Sequence, residues 1–487
     1  MSKAVYLFLL FLAGSFVCLY LTFSATVNIP YVNHDSIRFF HKFYNKENDS
    51  LTYPQYRYEY NLGRPITAEL EGFLYRKINH LSDLSCLRLI TIFVFALSAS
   101  ILALTALLAG MEIIPAFCLC TAIFTLPGVQ DFIFVPYLTN ALAVFLSMLA
   151  YIVLSTRLKY RLHFILAFVL LETSFLLYPP STFLFFIPTS LMVIFQDNWQ
   201  VSKKVWGRDI CLWILAALVN YFALRSFFYT QMKSSGHEIA FTLKQISLNV
   251  MMFLPQAVPQ TFNFWYVYNS KILGFFMMAF VAIFIVADFF VTKKMGWRKL
   301  FALIAIFLLC NLVWFLFCGY LPREFIASQA LALTLVYWCG EWIGNILKVK
   351  KEYLVRIWPI TLACVGFLIA NQMMTSNVLH NHSELMFVRS RIAQFVNSST
   401  REIHIIRLKD ITKGYNGLPV LYDNFNTPTP YYEIPDLVRV ALKDMGDPFE
   451  LHCIVTYSNY GEPLGLLPNA VVIDMNDLVY ISSPERK

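Results

Sequence analysis

The sequence predicts an all-helical bundle that crosses a membrane many times, closed by a small C-terminal α/β domain. Three observations carry this prediction. Of the 487 residues, 58% are hydrophobic and only 14% charged, whereas a soluble globular chain carries about 25% charged residues. Apolar runs of about 20 residues, the length a helix needs to cross a bilayer, recur along residues 1–374. From residue 375 the character changes: residues 375–487 hold 10 Lys/Arg and 13 Asp/Glu, against 28 and 17 in the first 374. The net charge of +8 therefore belongs to the membrane part, where cytoplasmic loops collect Lys and Arg. It implies membrane lipid as a partner and calls for no nucleic acid.

Eleven segments read as spans: residues 4–23, 89–108, 113–126, 136–155, 163–178, 182–195, 210–228, 272–291, 300–320, 325–347 and 357–375. Those at 113–126, 163–178 and 182–195 are short, which allows broken or re-entrant helices there. The first span follows Lys3 and precedes Phe23-Ser24-Ala25, a poor cleavage site, so it reads as a signal anchor. Orientation follows from charge. With the N-terminus in the cytoplasm, inner loops carry Arg157, Lys159 and Arg161, then Lys203, Lys204 and Arg208. The next two carry Lys293, Lys294, Arg298 and Lys299, then Lys348, Lys350, Lys351 and Arg356. That is the positive-inside pattern. Residues 24–88, 229–271 and 375–487 then lie outside.

The chain divides into a membrane domain, residues 1–374, with an outer loop at 24–88, and an outer domain, residues 375–487. In the latter, Ser383–Asn397 and Asp436–Met445 have helical period, the second following Pro435. Glu402–Leu408 and Leu451–Tyr457 alternate like strands, and Val471–Ile473 and Val479–Ile481 are short apolar strand candidates. The ten cysteines form neither a disulfide nor a zinc pattern. Cys118 and Cys120 are too close for a usual zinc pair, and buried thiols acting as small hydrophobes account for most of them.

The outer loop is the most unusual segment. It runs Tyr31-Val32-Asn33-His34-Asp35-Ser36-Ile37-Arg38, then Tyr58-Glu59-Tyr60-Asn61-Leu62-Gly63-Arg64-Pro65, then Glu69 and Glu71. A carboxylate there can serve as general base on a hydroxyl, an arginine fork matches phosphate oxygens, and flat aromatic faces suit sugar rings. The bland alternative is a solvated loop with interfacial aromatics.

An Asp-bearing turn followed by Arg, then Gly-Arg-Pro 25–30 residues on, in a loop after the first span, resembles the phage-type O-antigen glucosyltransferases. These are the serotype-converting Gtr enzymes of enteric bacteria and their prophages. The residues that carry the resemblance are His34-Asp35-Ser36-Ile37-Arg38 and Gly63-Arg64-Pro65, with Leu126-Pro127-Gly128-Val129-Gln130 and Tyr178-Pro179-Pro180 at similar Pro- and Tyr-containing breaks. The family often has Asp-Asp where this chain has His34-Asp35, so a role for two carboxylates does not carry over. The resemblance implies a lipid-dependent GT-C fold with catalytic loops on the periplasmic face of the bacterial inner membrane. Its donor would be polyprenyl-phosphate glucose and its acceptor a sugar of the lipid-linked O-antigen repeat, with no cofactor.

On this reading Asp35 is the base, and Arg38, Arg64 and Arg323 hold the donor phosphate. Substrate contacts fall to His34, Glu59, Tyr60, Gly63, Glu69, Asp131, Glu172 and Tyr178. Each has a plainer reading. Glu172 lies inside a span, where a carboxylate is a functional suspect or a helix-packing hydrogen-bonder. Arg323-Glu324 is a phosphate contact or a local ion pair. Asp131 caps a helix or lines the cleft, and His34 is a loop hydrogen-bonder more readily than a metal ligand. The 14 Asp include no pair two residues apart, so an Asp-x-Asp metal site is not expected. Two rivals remain: an O-antigen polymerase, which changes glycan length, and a lipid-linked glycan flippase or transporter. A transporter keeps its polar groups near the midplane, often in repeated halves; here they gather at the outer face.

Overall fold

The computed structural model describes residues 3–33, 36, 59, 64–75, 77–78, 80–155, 160–232, 243–264, 271–291, 296–317, 325–347, 351–406, 434–445, 454–458, 461–462 and 465–478. The membrane part is a succession of helices. α1 (Lys3–Thr22) is followed by the short α2 (Ser24–Asn28), and α3 (Pro65–Tyr75) leads to α4 (Leu81–Leu108). After them come α5 (Ile113–Ile123), α6 (Pro127–Phe134), α7 (Leu138–Ser155), α8 (Tyr160–Leu177), α9 (Phe186–Phe195) and α10 (Trp199–Met232). α11 (Leu243–Met252) and α12 (Val258–Phe262), joined by a π turn, precede α13 (Lys271–Val291), α14 (Gly296–Cys310), α15 (Leu312–Phe317), α16 (Ile326–Ile346) and α17 (Lys351–Phe395).

Each of the eleven expected spans coincides with helix over most of its described residues. By length and apolarity, six helices among the described residues suffice to cross a membrane, or seven if the bent pair α5–α6 is one span. The helices at 160–177 and 186–195 are shorter, and the expected span at 300–320 breaks at Asn311. α1 turns Val5, Leu9, Leu10, Val17 and Leu21 outward, the face a bilayer would cover.

α4 lies at the centre of the bundle, most of its length buried against α1, α5 and α7. Its small residues, Ala96, Ala99, Ala103 and Ala106, are fully or almost fully buried and let neighbouring backbones approach. Its hydroxyls do not go unsatisfied. Ser98 Oγ donates to Val94 O at 2.9 Å, Ser100 Oγ to Ala96 O at 2.6 Å, and Thr105 Oγ1 to Ile101 O at 3.0 Å. In an apolar surrounding such bonds remove the cost of a bare hydroxyl.

Two breaks have a chemical cause. Between α5 and α6 the axis turns by 58°, because Pro127 opens α6 without an N–H to continue the ladder. Side chains recover the freed carbonyls: Thr125 Oγ1 donates to Ala122 O and Gln130 Nε2 to Thr125 O, both at 2.7 Å. α8 stops at Leu177 because Tyr178 precedes Pro179 and takes extended backbone (φ −153°). A 3₁₀ turn over Pro179–Phe185 then leads into α9.

α17 is one helix of 45 residues, about 68 Å at 1.5 Å per residue and so far longer than the roughly 30 Å apolar layer. It runs through residue 375 without interruption. Asn371 Nδ2 donates to Thr22 O at 2.8 Å and His382 Nδ1 contacts Pro30 O at 2.6 Å, so α17 braces the chain leaving α1. Beyond it lie β1 (Glu402–Ile406), α18 (Ile434–Asp444), β2 (Ile454–Ser458) and β3 (Ala470–Asp474). The sheet is parallel in the order β2-β1-β3, with His404 opposite Thr456 and Val472. Buried Ile403 and Ile405 and the apolar residues of α18, Leu437, Val438 and Ala441, make its core. The strands agree with the alternation read in the sequence; the candidate at 479–481 lies outside the described residues. Arg389 on α17 pairs with Asp444 at 2.7 Å, and Asp444 also accepts the Leu81 N–H at 3.3 Å, tying the tail to the start of α4.

Candidate functional site

The site is built on α3. Pro65 occupies the first turn, where its missing N–H costs nothing, and the helix turns Thr67, Ala68 and Glu71 inward while Glu69 and Phe73 are exposed. Thr67 Oγ1 donates to Leu177 O at 2.6 Å, docking α3 on the carbonyl left open where α8 ends. Arg64, seven residues before Glu71, lies two turns away on the same side of the chain. Its guanidinium meets Glu59 Oε2 at 3.4 Å and lies 4.7 Å from the centre of the Tyr178 ring. Tyr178 is itself buried, with Phe132 of α6 edge-on at 5.6 Å. One step deeper, Thr139 at the start of α7 donates to Glu71 Oε1 at 2.8 Å.

Glu71 is 4% exposed. Burial in the bundle pushes its carboxyl well above the usual carboxylate range, and the nearby Glu59 carboxylate adds to this; the Thr139 hydrogen bond and Arg64 act in the opposite direction. Glu71 is therefore biased toward its neutral form, in which it can donate as well as accept a hydrogen bond. Glu59 and Arg64 form an ion pair whose 3.4 Å contact is longer than the 2.7–2.9 Å typical of a charge-assisted bond. A guanidinium, an aromatic face and a carboxyl biased toward its neutral form suit an anion carrying a polar, hydroxyl-bearing group.

The chain that leads toward positions 34 and 35 is held firmly. Arg88, fully buried on α4, donates to Thr26 O at 3.4 Å and Tyr31 O at 3.3 Å, its Cζ 3.8 Å from the centre of the Tyr31 ring. Tyr31 in turn donates its hydroxyl to Phe134 O at 2.9 Å. Asn33 and Ser36 are buried and bonded reciprocally: Ser36 N–H donates to Asn33 Oδ1 at 2.8 Å and Asn33 N–H to Ser36 Oγ at 2.9 Å.

Of the residues singled out in the sequence, Glu59, Arg64 and Tyr178 come together here. Glu69 sits on the exposed face of α3, because two helical residues turn it away from Glu71. Asp131 does not cap: Leu126 holds the N-cap position of α6 and Asp131 is buried within the helix. Glu172 on α8 is set beside Asn220 of α10. His34, Asp35, Arg38, Tyr60, Gly63 and Arg323 lie outside the described residues. Thr139, Thr67 and Arg88 had no signal in the sequence. Glu71 had one, the two-turn spacing from Arg64. Among the described residues there is no group of three or more His, Cys, Asp or Glu side chains that could hold a metal ion.

No protein-family model matches the sequence, and no curated protein is similar to it at significance. Solved structures with some likeness are those of the oligosaccharyltransferase of Archaeoglobus fulgidus. The apo form has a TM-score of 0.39 and 12% identity, covering 84% of this chain and 62% of that one. The complex of the same enzyme, AglB, with an inhibitory peptide and a dolichol-phosphate has a TM-score of 0.39 and 13% identity, covering 92% of this chain and 65% of that one. The chain thus spans less than two thirds of those proteins, and scores at this level do not establish a common fold.

Proposed function

We propose that this protein is a multi-pass glucosyltransferase of the bacterial inner membrane. It moves glucose from a polyprenyl-phosphate donor onto a sugar of the lipid-linked O-antigen repeat, the branch addition that converts serotype. The N-terminus lies in the cytoplasm and residues 375–487 in the periplasm. The observation that carries this reading is the Arg64 guanidinium held between Glu59 and the Tyr178 ring, with Glu71, whose carboxyl is held above its usual range, close by. A guanidinium matches phosphate oxygens in a fixed fork. A carboxyl biased toward its neutral form opposes the phosphate less than a carboxylate would.

In the reaction, Asp35 takes the proton of the acceptor hydroxyl as its oxygen attacks the anomeric carbon. The bond to the phosphate oxygen breaks on the opposite face, and the polyprenyl phosphate leaves with the electron pair. Arg64, with Arg38 and Arg323, stabilises the charge that develops there. His34, Tyr60 and Gly63 contact the sugars, and the C-terminal domain covers the cleft or selects the acceptor. Phosphate neutralised by guanidinium groups needs no divalent metal, so transfer by purified protein persists in excess chelator.

The test is mass analysis of O-antigen repeats from strains with and without the gene. A gain of one hexose per repeat at unchanged chain length supports the reading. Changed chain length at constant repeat mass means a polymerase, and loss of all outer-face lipid-linked sugar means transport. Within the active strain, Asp35→Asn lowers transfer by about 10²-fold or more at unchanged membrane abundance; near wild-type transfer removes Asp35 as base.

A further inference from the structure

The C-terminal sheet carries a run of hydrogen bonds that glucosyl transfer does not use. Alternate residues of a strand share one face. The parallel register sets His404 opposite Thr456 and Ile406 opposite Ser458, so Glu402, His404, Thr456 and Ser458 lie on the same face of β1 and β2. Their contacts form a zigzag between the strands. Ser458 Oγ is 2.9 Å from His404 Nε2 and Thr456 Oγ1 is 2.7 Å from His404 Nδ1. The Thr456 hydroxyl donates to Glu402 Oε1, and Leu467 N–H donates to Glu402 Oε2 at 2.8 Å.

The available protons determine the direction of this run. Hydrogen bonds from Thr456 and Leu467, with His404 nearby, hold the Glu402 carboxyl below its usual range, so it only accepts. Thr456 has one hydroxyl proton and gives it to Glu402. Its oxygen is then an acceptor, so the proton between Thr456 and His404 sits on Nδ1. When the imidazole carries its single proton at Nδ1, Nε2 is bare and accepts from the Ser458 hydroxyl. A carboxylate therefore acts, through one threonine, on an imidazole whose free nitrogen is aimed at a serine hydroxyl. Nucleophile, base and orienting group stand in the order that activates a hydroxyl.

The placement points to a ligand independently. In parallel sheets, ligands bind beyond the carboxyl ends of the strands, where the strand order reverses. Here the chain passes from central β1 to β2 on one side and then to β3 on the other, which puts the reversal between β1, the strand of His404, and β3; Ser458 is the last residue of the neighbouring β2. The run thus begins at the buried Glu402, at the amino end of β1, and finishes at the carboxyl edge on a half-buried Ser458.

We propose that the C-terminal domain holds a second site, which cleaves carboxylic esters, with Ser458 as nucleophile, His404 as general base and Glu402 as a positioning residue acting through Thr456. Ser458 Oγ bonds to the ester carbonyl carbon while its proton moves to His404 Nε2. The ester C–O bond breaks, and the alcohol leaves with that proton. Water then attacks the acyl-serine, giving its proton to His404, which returns it to Ser458 as the carboxylic acid departs. An ester suits this arrangement because its alkoxide needs one proton, the one His404 holds after the first step.

The experiment uses the full-length protein purified in detergent and a fluorophosphonate probe, which loses fluoride as a serine Oγ–P bond forms. Peptide mapping is expected to find the adduct on Ser458 in folded protein, with none on Ser458 after denaturation. Ser458→Ala removes it. His404→Gln slows labelling by about 10²-fold or more, and Thr456→Val by about 10-fold, with thermal midpoints near wild type. Folded wild-type protein that leaves Ser458 unlabelled under excess probe overturns the proposal without recourse to any variant. Labelling of His404→Gln at the wild-type rate also overturns it.

Discussion

Glu71 in the helical bundle and Glu402 in the C-terminal sheet are each 4% exposed and each accept a hydrogen bond from a threonine, yet their carboxyls are shifted in opposite directions. Two differences account for this. Glu71 lies within a large apolar bundle and faces a second carboxylate, Glu59, so burial first and repulsion second push its carboxyl above the usual range. Glu402 lies in a sheet that has three strands among the described residues, and two donors, Thr456 and Leu467 N–H, stabilise its charge against a smaller burial cost. Exposure of the residue alone does not tell the two apart. The depth of surrounding protein and the number of donors do.

Three measurements would break or sharpen this contrast. The largest effect is expected at the bundle site, where Arg64→Gln removes the guanidinium beside Glu71. Glucosyl transfer should fall by about 10²-fold, assayed with polyprenyl-phosphate glucose; transfer near the wild-type rate would mean that the Glu59–Arg64 pair is only structural. Next come the paired amide substitutions. Glu402→Gln takes a charged acceptor from two donors and should cost about 1–3 kcal/mol of unfolding free energy. Glu71→Gln exchanges a carboxyl biased toward its neutral form for a neutral isostere and should change it by less than about 1 kcal/mol. Equal costs would contradict the opposite shifts of the two carboxyls.

The smallest effect is a pair of opposite slopes of thermal midpoint against pH. Glu402 has a lowered folded-state pKa. Its stabilisation, measured against Glu402→Gln, is complete above the unfolded value of about 4.3 and is lost as pH falls through the folded value. Glu71 has a raised one. Measured against Glu71→Gln, the wild type is most stable at low pH and loses that advantage as pH rises above about 4.3. Slopes of the same sign for both residues would contradict the comparison.

Much of the fold was legible because its signals are local. Length and apolarity mark α1, α4, α7 and α13, and the same reading allowed the break that Pro127 makes between α5 and α6. The alternation of Glu402–Leu408 marks β1. The sequence divides at residue 375, whereas α17 runs from Lys351 to Phe395 unbroken. Polarity rises there while helical hydrogen bonding continues, so hydropathy reports where apolar surroundings end and not where a helix ends. Within the site, the grouping of Glu59, Arg64 and Tyr178 was within reach, since arginine, carboxylate and aromatic residues flank two proline-bearing motifs. The choice between Glu69 and Glu71 needed the phase of α3.

The sequence by itself determined what depends on short stretches of chain: the apolar helices, the proline breaks, the parallel strands' alternation and the set of residue types in the outer loop. Tertiary structure alone decided which of them meet. Thr139 reaches Glu71 across 68 residues and Thr67 reaches Leu177 across 110. Thr456 and Ser458 reach His404 across 52 and 54. Protonation follows from those meetings, because the free energy of a charge depends on the donors, neighbouring charges and depth of protein around it. None of these is a property of sequence neighbours.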